Sequence, residues 1–148
     1  AVPGAAIASD QFCRMMDLAI DFCEDVRPLP PIDVEKIVSI FKKHGAQAKV
    51  SSIHVNGWFG DYDKLSMCKT FCENEFDFNV GENNNACVFV GDSPNDEPMF
   101  EFFNCSFGVA NIKNFLSQIR HRPKFVAAKE GGLGFAEIAD RILAQKKG

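Results

Sequence analysis

The stretch Cys87-Val88-Phe89-Val90-Gly91-Asp92-Ser93-Pro94-Asn95-Asp96 constrains this chain more than any other. A short apolar run of β-branched and aromatic residues reads as a buried strand. Gly91 ends it, Asp92 follows at once, and a tight polar turn leads into a helix start. Asp92 and Asp96 then share the carboxyl end of a strand, where open α/β sheets hold their ligands. Two carboxylates and the Asn95 amide suit a hard cation such as Mg²⁺, which takes oxygen ligands and keeps waters. Gly91 would let a ligand approach the backbone closely. A plainer reading stands beside this one. Ser93 or Asn95 caps a helix, and Asp96 complements its dipole.

The rest of the chain has the size and composition of a globular domain. It has 148 residues, 46% of them hydrophobic, enough to bury a core. A net charge of −4 argues against a general nucleic-acid or anionic-membrane surface. The apolar runs are too short to span a bilayer, and no charged-then-apolar signal segment opens the chain. It begins with Ala1 rather than Met, which fits a processed form or a fragment. Of the six cysteines, Cys87 sits in the apolar strand run, and Cys68 and Cys72 lie at i, i+4, awkward for a relaxed bridge. No Cys-x-x-Cys pair occurs, and His44, His54 and His121 lack zinc-ligand spacing. Free thiols in a reducing cytoplasm are expected. The sequon Asn104-Cys105-Ser106 would then go unused.

Periodicity predicts a helix over roughly 10–20, although Ile20, Phe22 and Val26 also suit a strand. A helix capped by Asp33 and ending at Gly45 follows. Two short strands are expected near 48–52 and 53–59, then a helix over 64–75. From there strands at 86–90, 106–110 and 124–128 alternate with helices at 95–103, 112–120 and 135–145. Such alternation indicates βαβ units and a parallel sheet. A boundary falls near residue 60, with mixed α+β structure over 1–60 and regular α/β over 61–148.

Lys64 opens the helix that precedes the Asp92 strand by about one βαβ unit, roughly thirty residues. There it could neutralise a phosphate or hold a carboxylate ionised. Alone it would read as a surface lysine. Asp61-Tyr62-Asp63 has a D-x-D pattern, but it sits in a turn ahead of Lys64, which favours a helix N-cap. His54 and Trp58 share a strand face and could line a pocket or simply pack. The GGLG segment at 131–134 reads as a connecting loop without the Lys-Ser/Thr of a P-loop.

Together these residues resemble the haloacid dehalogenase-like superfamily, in particular its late-cap Cof-type and sucrose-phosphate phosphatase-like subgroup. GDSPND at 91–96 matches that family's fourth, acidic motif, and Lys64 in DYDKLSM matches its third-motif lysine. FGVAN at 107–111 and EGGLGFAEIADRIL at 130–143 are similar to its C-terminal end. The resemblance implies a partial Rossmann-like core preceded by the end of an α+β cap. It implies that Asp92 ligates Mg²⁺ and Asp96 supports that site. Asn95 would orient a phosphate oxygen or the loop, and Lys64 would stabilise the attacking carboxylate and the phosphoryl group. His54 would then face substrate.

The family's D-x-D-G nucleophile motif is missing, as are its second-motif Ser/Thr and most of the cap. The chain therefore reads as the C-terminal part of a Mg²⁺-dependent phosphate-monoester hydrolase. Without the attacking aspartate it is expected to be inactive alone. A small phosphorylated substrate would be its ligand. Homodimerisation or pairing with the missing N-terminal part would cover the open sheet. The rival expectation is a non-catalytic α/β interaction domain that pairs through that exposed edge.

Overall fold

The computed structural model describes residues 1–145. The chain divides into two compact units, Ala1–Asp61 and a second beginning at Tyr62.

In the first unit, β1 (Ala6–Ile7), β2 (Asp17–Asp21), β3 (Gln47–Val50) and β4 (His54–Trp58) form an antiparallel sheet in the order β1-β2-β4-β3. Helix α1 (Pro31–Lys43) packs on it through Val34, Ile37, Val38 and Phe41, around buried Val2 and Val55. Pro31 sits where its missing N–H costs nothing, and Lys42 and Lys43 complement the helix dipole at the other end. Gly45, at φ +77°, releases the chain into β3. Gly57 lets α1 lie on β4, because a Cβ there would run into the Phe41 ring.

The helix expected over 10–20 does not form. A single 3-10 turn, Gln11–Cys13, precedes β2. Non-local pairing outcompetes the local helical pattern here. β2 bonds to β1 on one side and to β4 on the other, with Asp17 opposite Trp58 and Asp21 opposite His54. The loop before it is fastened by side chains. Gln11 donates to Asp17 O at 2.8 Å and accepts from Ala19 N at 2.9 Å. Arg14 bridges Asp10 and Asp17. Phe12, Met15 and Met16, apolar residues within that stretch, are left exposed.

The second unit is α/β. Its parallel sheet runs in the order β5-β6-β7, from β5 (Phe89–Gly91), β6 (Ser106–Gly108) and β7 (Phe125–Val126). Helices α2 (Lys64–Phe76) and α3 (Glu97–Phe102) share a cluster of Val80, Met99 and Phe103 with Phe89. Helix α4 (Gly131–Gln145) packs Ile138 against Val109, Ala127 and Val90. Among the described residues β5 pairs with β6 alone, so its other edge is bare.

Three expectations are corrected in this unit. The strand expected from residue 86 begins only at Phe89, and Ala86 instead ends a 3-10 turn over Asn84–Ala86. The helix expected at 112–120 is a 3-10 segment, Ala110–Phe115. The glycines of GGLG form the first turn of α4 rather than a loop. Gly134 is required there because a Cβ would run into the Lys129 carbonyl. No helix among the described residues is long and apolar enough to cross a membrane.

Candidate functional site

Two elements of the second unit converge on one loop. Helix α2 opens with Lys64, one residue after its N-cap. Asp63 accepts from Ser66 N at 2.8 Å, and Ser66 Oγ accepts from Asp63 N at 2.9 Å. This reciprocal box satisfies two amide donors and fixes where the helix begins. It also settles the D-x-D pattern, since Asp63 is a cap. The C-terminal end of α2 is closed by Asp77 in the left-handed conformation, φ 49°.

The loop after β5 is built around Asp96. Its side chain is buried, and both carboxylate oxygens are engaged. Oδ2 accepts from Asp92 N at 3.0 Å and from Ser93 N at 3.3 Å. Oδ1 accepts from Lys64 Nζ. An ionised carboxylate leaves water only when such donors replace its hydration. Gly91 makes room for this, because a Cβ at that position would collide with the Asp96 carboxylate. Ser93 and Asp96 also form a capping box around the 3-10 turn Pro94–Asp96, which delivers the chain into α3.

The helix-cap reading thus describes Asp96. Asp96 is a cap and an ion-pair partner, with no oxygen left uncommitted. Asp92 is half-buried, and its carboxylate has no hydrogen-bond or ion-pair partner among the described residues. Asn95 Oδ1 accepts from Ser93 Oγ at 2.6 Å, which leaves the Asn95 amide NH₂ as its remaining donor. Lys64 is half exposed, with 51% of its side chain open to solvent, so its ammonium can reach a ligand as well as Asp96. Lys64, Asp92, Asn95 and Asp96 therefore form one neighbourhood around the buried Asp96 carboxylate.

As a Mg²⁺ site this donor set is incomplete. Among the described residues no group of three or more His, Cys, Asp or Glu is placed to hold a metal ion. One uncommitted carboxylate, Asp92, fits a weakly held Mg²⁺ that keeps most of its waters.

His54 belongs to the first unit. It is buried in β4 of the first unit, with Nε2 2.9 Å from Glu24 Oε2. The structure thus gives it a packed place in that sheet, beside a carboxylate.

Sequence reasoning missed two anchors. Glu97, just after the loop, accepts from the backbone N–H groups of Arg120 at 2.7 Å and His121 at 2.9 Å. The His121 N–H lowers the Glu97 pKa most; burial works against it, and the Arg120 N–H adds to the lowering. Nothing local in the sequence signals a contact across twenty-three residues. In the first unit, Asp21 is fully buried, and burial alone would raise its pKa. The N–H groups of Glu24, Asp25 and Cys23 outweigh that and hold it below the ordinary 3.8.

The chain is similar in structure to the crystal structure of protein 0175 of Thermoplasma acidophilum, with a TM-score of 0.61 and 18% sequence identity. The match covers 93% of this chain and 54% of that one, so the chain spans about half the neighbour's length. At that identity the likeness is one of fold. No protein-family model and no curated protein matches the chain.

Proposed function

We propose that the unit beginning at Tyr62 is the C-terminal part of a haloacid dehalogenase-like core, and that Ala1–Asp61 is the end of its α+β cap. The complete enzyme would be a Mg²⁺-dependent phosphate-monoester hydrolase of a reducing, cytoplasmic compartment. The observation that carries this reading is the Lys64–Asp96 contact. It joins a helix start to the strand-end loop across thirty-two residues and leaves Asp92 uncommitted beside it. Two motifs noted separately in the sequence thereby meet in one place.

Each residue has a role in this reading. Asp92 would hold Mg²⁺, which supplies charge neutralisation at the phosphoryl oxygens when bound. Lys64 would add a fixed positive charge where the phosphoryl group carries its negative charge. Asn95 would donate its amide N–H to a phosphate oxygen. Asp96 positions Lys64 and the Asp92 backbone. An aspartate from a D-x-D-G segment outside these 148 residues would attack the phosphorus, and water would then hydrolyse the aspartyl-phosphate.

Incubation with p-nitrophenyl phosphate and Mg²⁺ tests this. The chain alone releases no p-nitrophenol above background. The chain joined to its upstream coding sequence does, and Asp92→Ala in that longer protein abolishes turnover. Mg²⁺-dependent turnover by the chain alone would refute the half-site reading. Inactivity of the longer protein would refute the phosphatase reading.

The bare edge of β5 supports a second reading, a non-catalytic module that recruits a partner strand there. On that reading Asp92→Ala leaves partner binding intact, and no extension of the chain confers turnover.

A further inference from the structure

Four basic residues fall within the short run Arg120-His121-Arg122-Pro123-Lys124, which leads into β7 of an otherwise acidic chain. All four are exposed. Two acids of α3 face this loop. Glu97 accepts the Arg120 and His121 N–H groups, and Glu101 lies 3.6 Å from His121 Nε2. No ion pair reaches the side chains of Arg120, Arg122 or Lys124 among the described residues. The loop backbone is fastened beyond Glu97 as well. Ile119 and Pro123 are buried, Pro123 against Gly108, and Lys124 N donates to the buried Ser106 hydroxyl at 3.3 Å. A loop already held in place loses little freedom when it binds. The strand it feeds has a free edge. Among the described residues β7 pairs with β6 alone. Ala127 N donates to Gly108 O at 2.8 Å, so the N–H and C=O of Val126 turn to the other side. Phe125, stacked on Phe107, is exposed beside them.

We propose that an extended acidic segment of a partner protein adds to β7 as an edge strand, with its carboxylates on Arg120, Arg122 and Lys124. Strand addition draws affinity from main-chain bonds and selectivity from side chains. Val126 supplies the main-chain groups, Phe125 an apolar contact, and the loop the charge. Charge complementarity chooses the occupant. Without the three loop cations the chain's net charge of −4 would be −7. A short peptide meets the loop alone. A nucleic acid or an anionic membrane would also meet the remaining excess of acid, which repels it. A second copy presenting the same edge would set Arg122 and Lys124 against like charges, the device by which natural sheets refuse self-pairing. The site shares no residue with the Lys64–Asp96 neighbourhood, so it is independent of the phosphatase reading.

The test follows the backbone amides of the isotopically labelled chain by NMR. The probe is an end-blocked peptide of about ten alternating Glu and Val residues, which puts carboxylates on one face of a strand. Added peptide should shift amides over residues 120–126 and slow hydrogen exchange at the Val126 N–H. Salt should weaken the binding, and the same peptide with Lys in place of Glu should leave the spectrum unchanged. Arg122→Glu combined with Lys124→Glu should weaken binding by about tenfold or more. Both side chains are exposed and unpaired, so the unfolding midpoint should stay where it is. Salt dependence and the Lys peptide decide the matter on the unsubstituted chain even if that variant fails to fold. Four results would each overturn the assignment: no shifts at 120–126, shifts centred instead on the β5 edge at 88–91, equal binding of the Lys peptide, or tighter binding of an oligothymidylate of the same length or of phosphatidylserine vesicles.

Discussion

Asp96 shows what one buried carboxylate does in this fold. It accepts from two backbone amides and from Lys64, so removing it orphans the amides and releases the lysine to solvent. Asp96→Ala should therefore lower stability by about 2 kcal/mol, the usual cost of unsatisfied buried donors. Asp96→Asn keeps an acceptor for the amides and should cost clearly less. Urea denaturation of both variants measures this, and equal losses would show that the amide bonds are not what Asp96 contributes. The sequence revealed that Asp92 and Asp96 belong together at a strand end. It could not reveal that both oxygens of Asp96 are spent, because one of their donors comes from a residue thirty-two positions away. Asp21 gives the corresponding pH effect. Its folded pKa lies below its unfolded one, so its stabilisation is complete above about pH 4 and is lost as the pH falls through the folded value. The stability gap between the wild type and Asp21→Asn should be constant near neutrality and shrink under acid. A gap unchanged down to pH 3 would contradict the assignment.

At the level of elements, legibility followed locality. Helices α1 and α2 were readable because their signals are local: Gly45 closes one and Asp63 caps the other, although α1 begins at Pro31 and Asp33, expected as its cap, lies inside its first turn. Asp63→Ala removes that cap and should cost about 1 kcal/mol in thermal or chemical unfolding. Strand β2 was misread because its identity comes from partners on both sides. Its own apolar residues fit a helix as well as they fit a strand. The short connections of the second unit were misread for a similar reason. Asparagine side chains tie the segment over 79–86 to Phe102 and Asn104, favouring turns over a longer strand. Packing of α1 on β4 tests how closely elements approach in the first unit. Gly57→Ala drives a methyl into the Phe41 ring and should cost about 1–3 kcal/mol. Pairing it with Phe41→Leu, which opens space at the same point, should recover part of that loss. Additive losses in the double variant would show that the two residues do not meet.

For the molecule as a whole, the second unit poses the larger physical question. Parallel sheets are ordinarily covered on both faces and flanked by further strands. Here the three-stranded sheet has α2 and α3 on one cluster and α4 on another, so its faces are covered. The edge of β5 is not. Phe89 and Gly91 bond to β6, which turns the N–H and C=O of Val90 toward the bare side. Val88, at the entry to that edge, is exposed and apolar. Such an edge pairs readily, and natural sheets block it with charge, proline or a covering element. Neither a charge nor a proline stands at residues 88–91. The chain alone should therefore self-associate. Sedimentation velocity should give a mass above 16.4 kDa that falls toward that value on dilution. Val88→Lys places a charge at the edge without entering the core and should shift the equilibrium to monomer. Covering the same edge with the upstream segment should do likewise, and in the phosphatase reading only that second intervention also brings turnover. A chain that stays monomeric at every concentration would mean that the edge is protected, and it would count against the strand-recruiting reading while leaving the Lys64–Asp96 contact untouched.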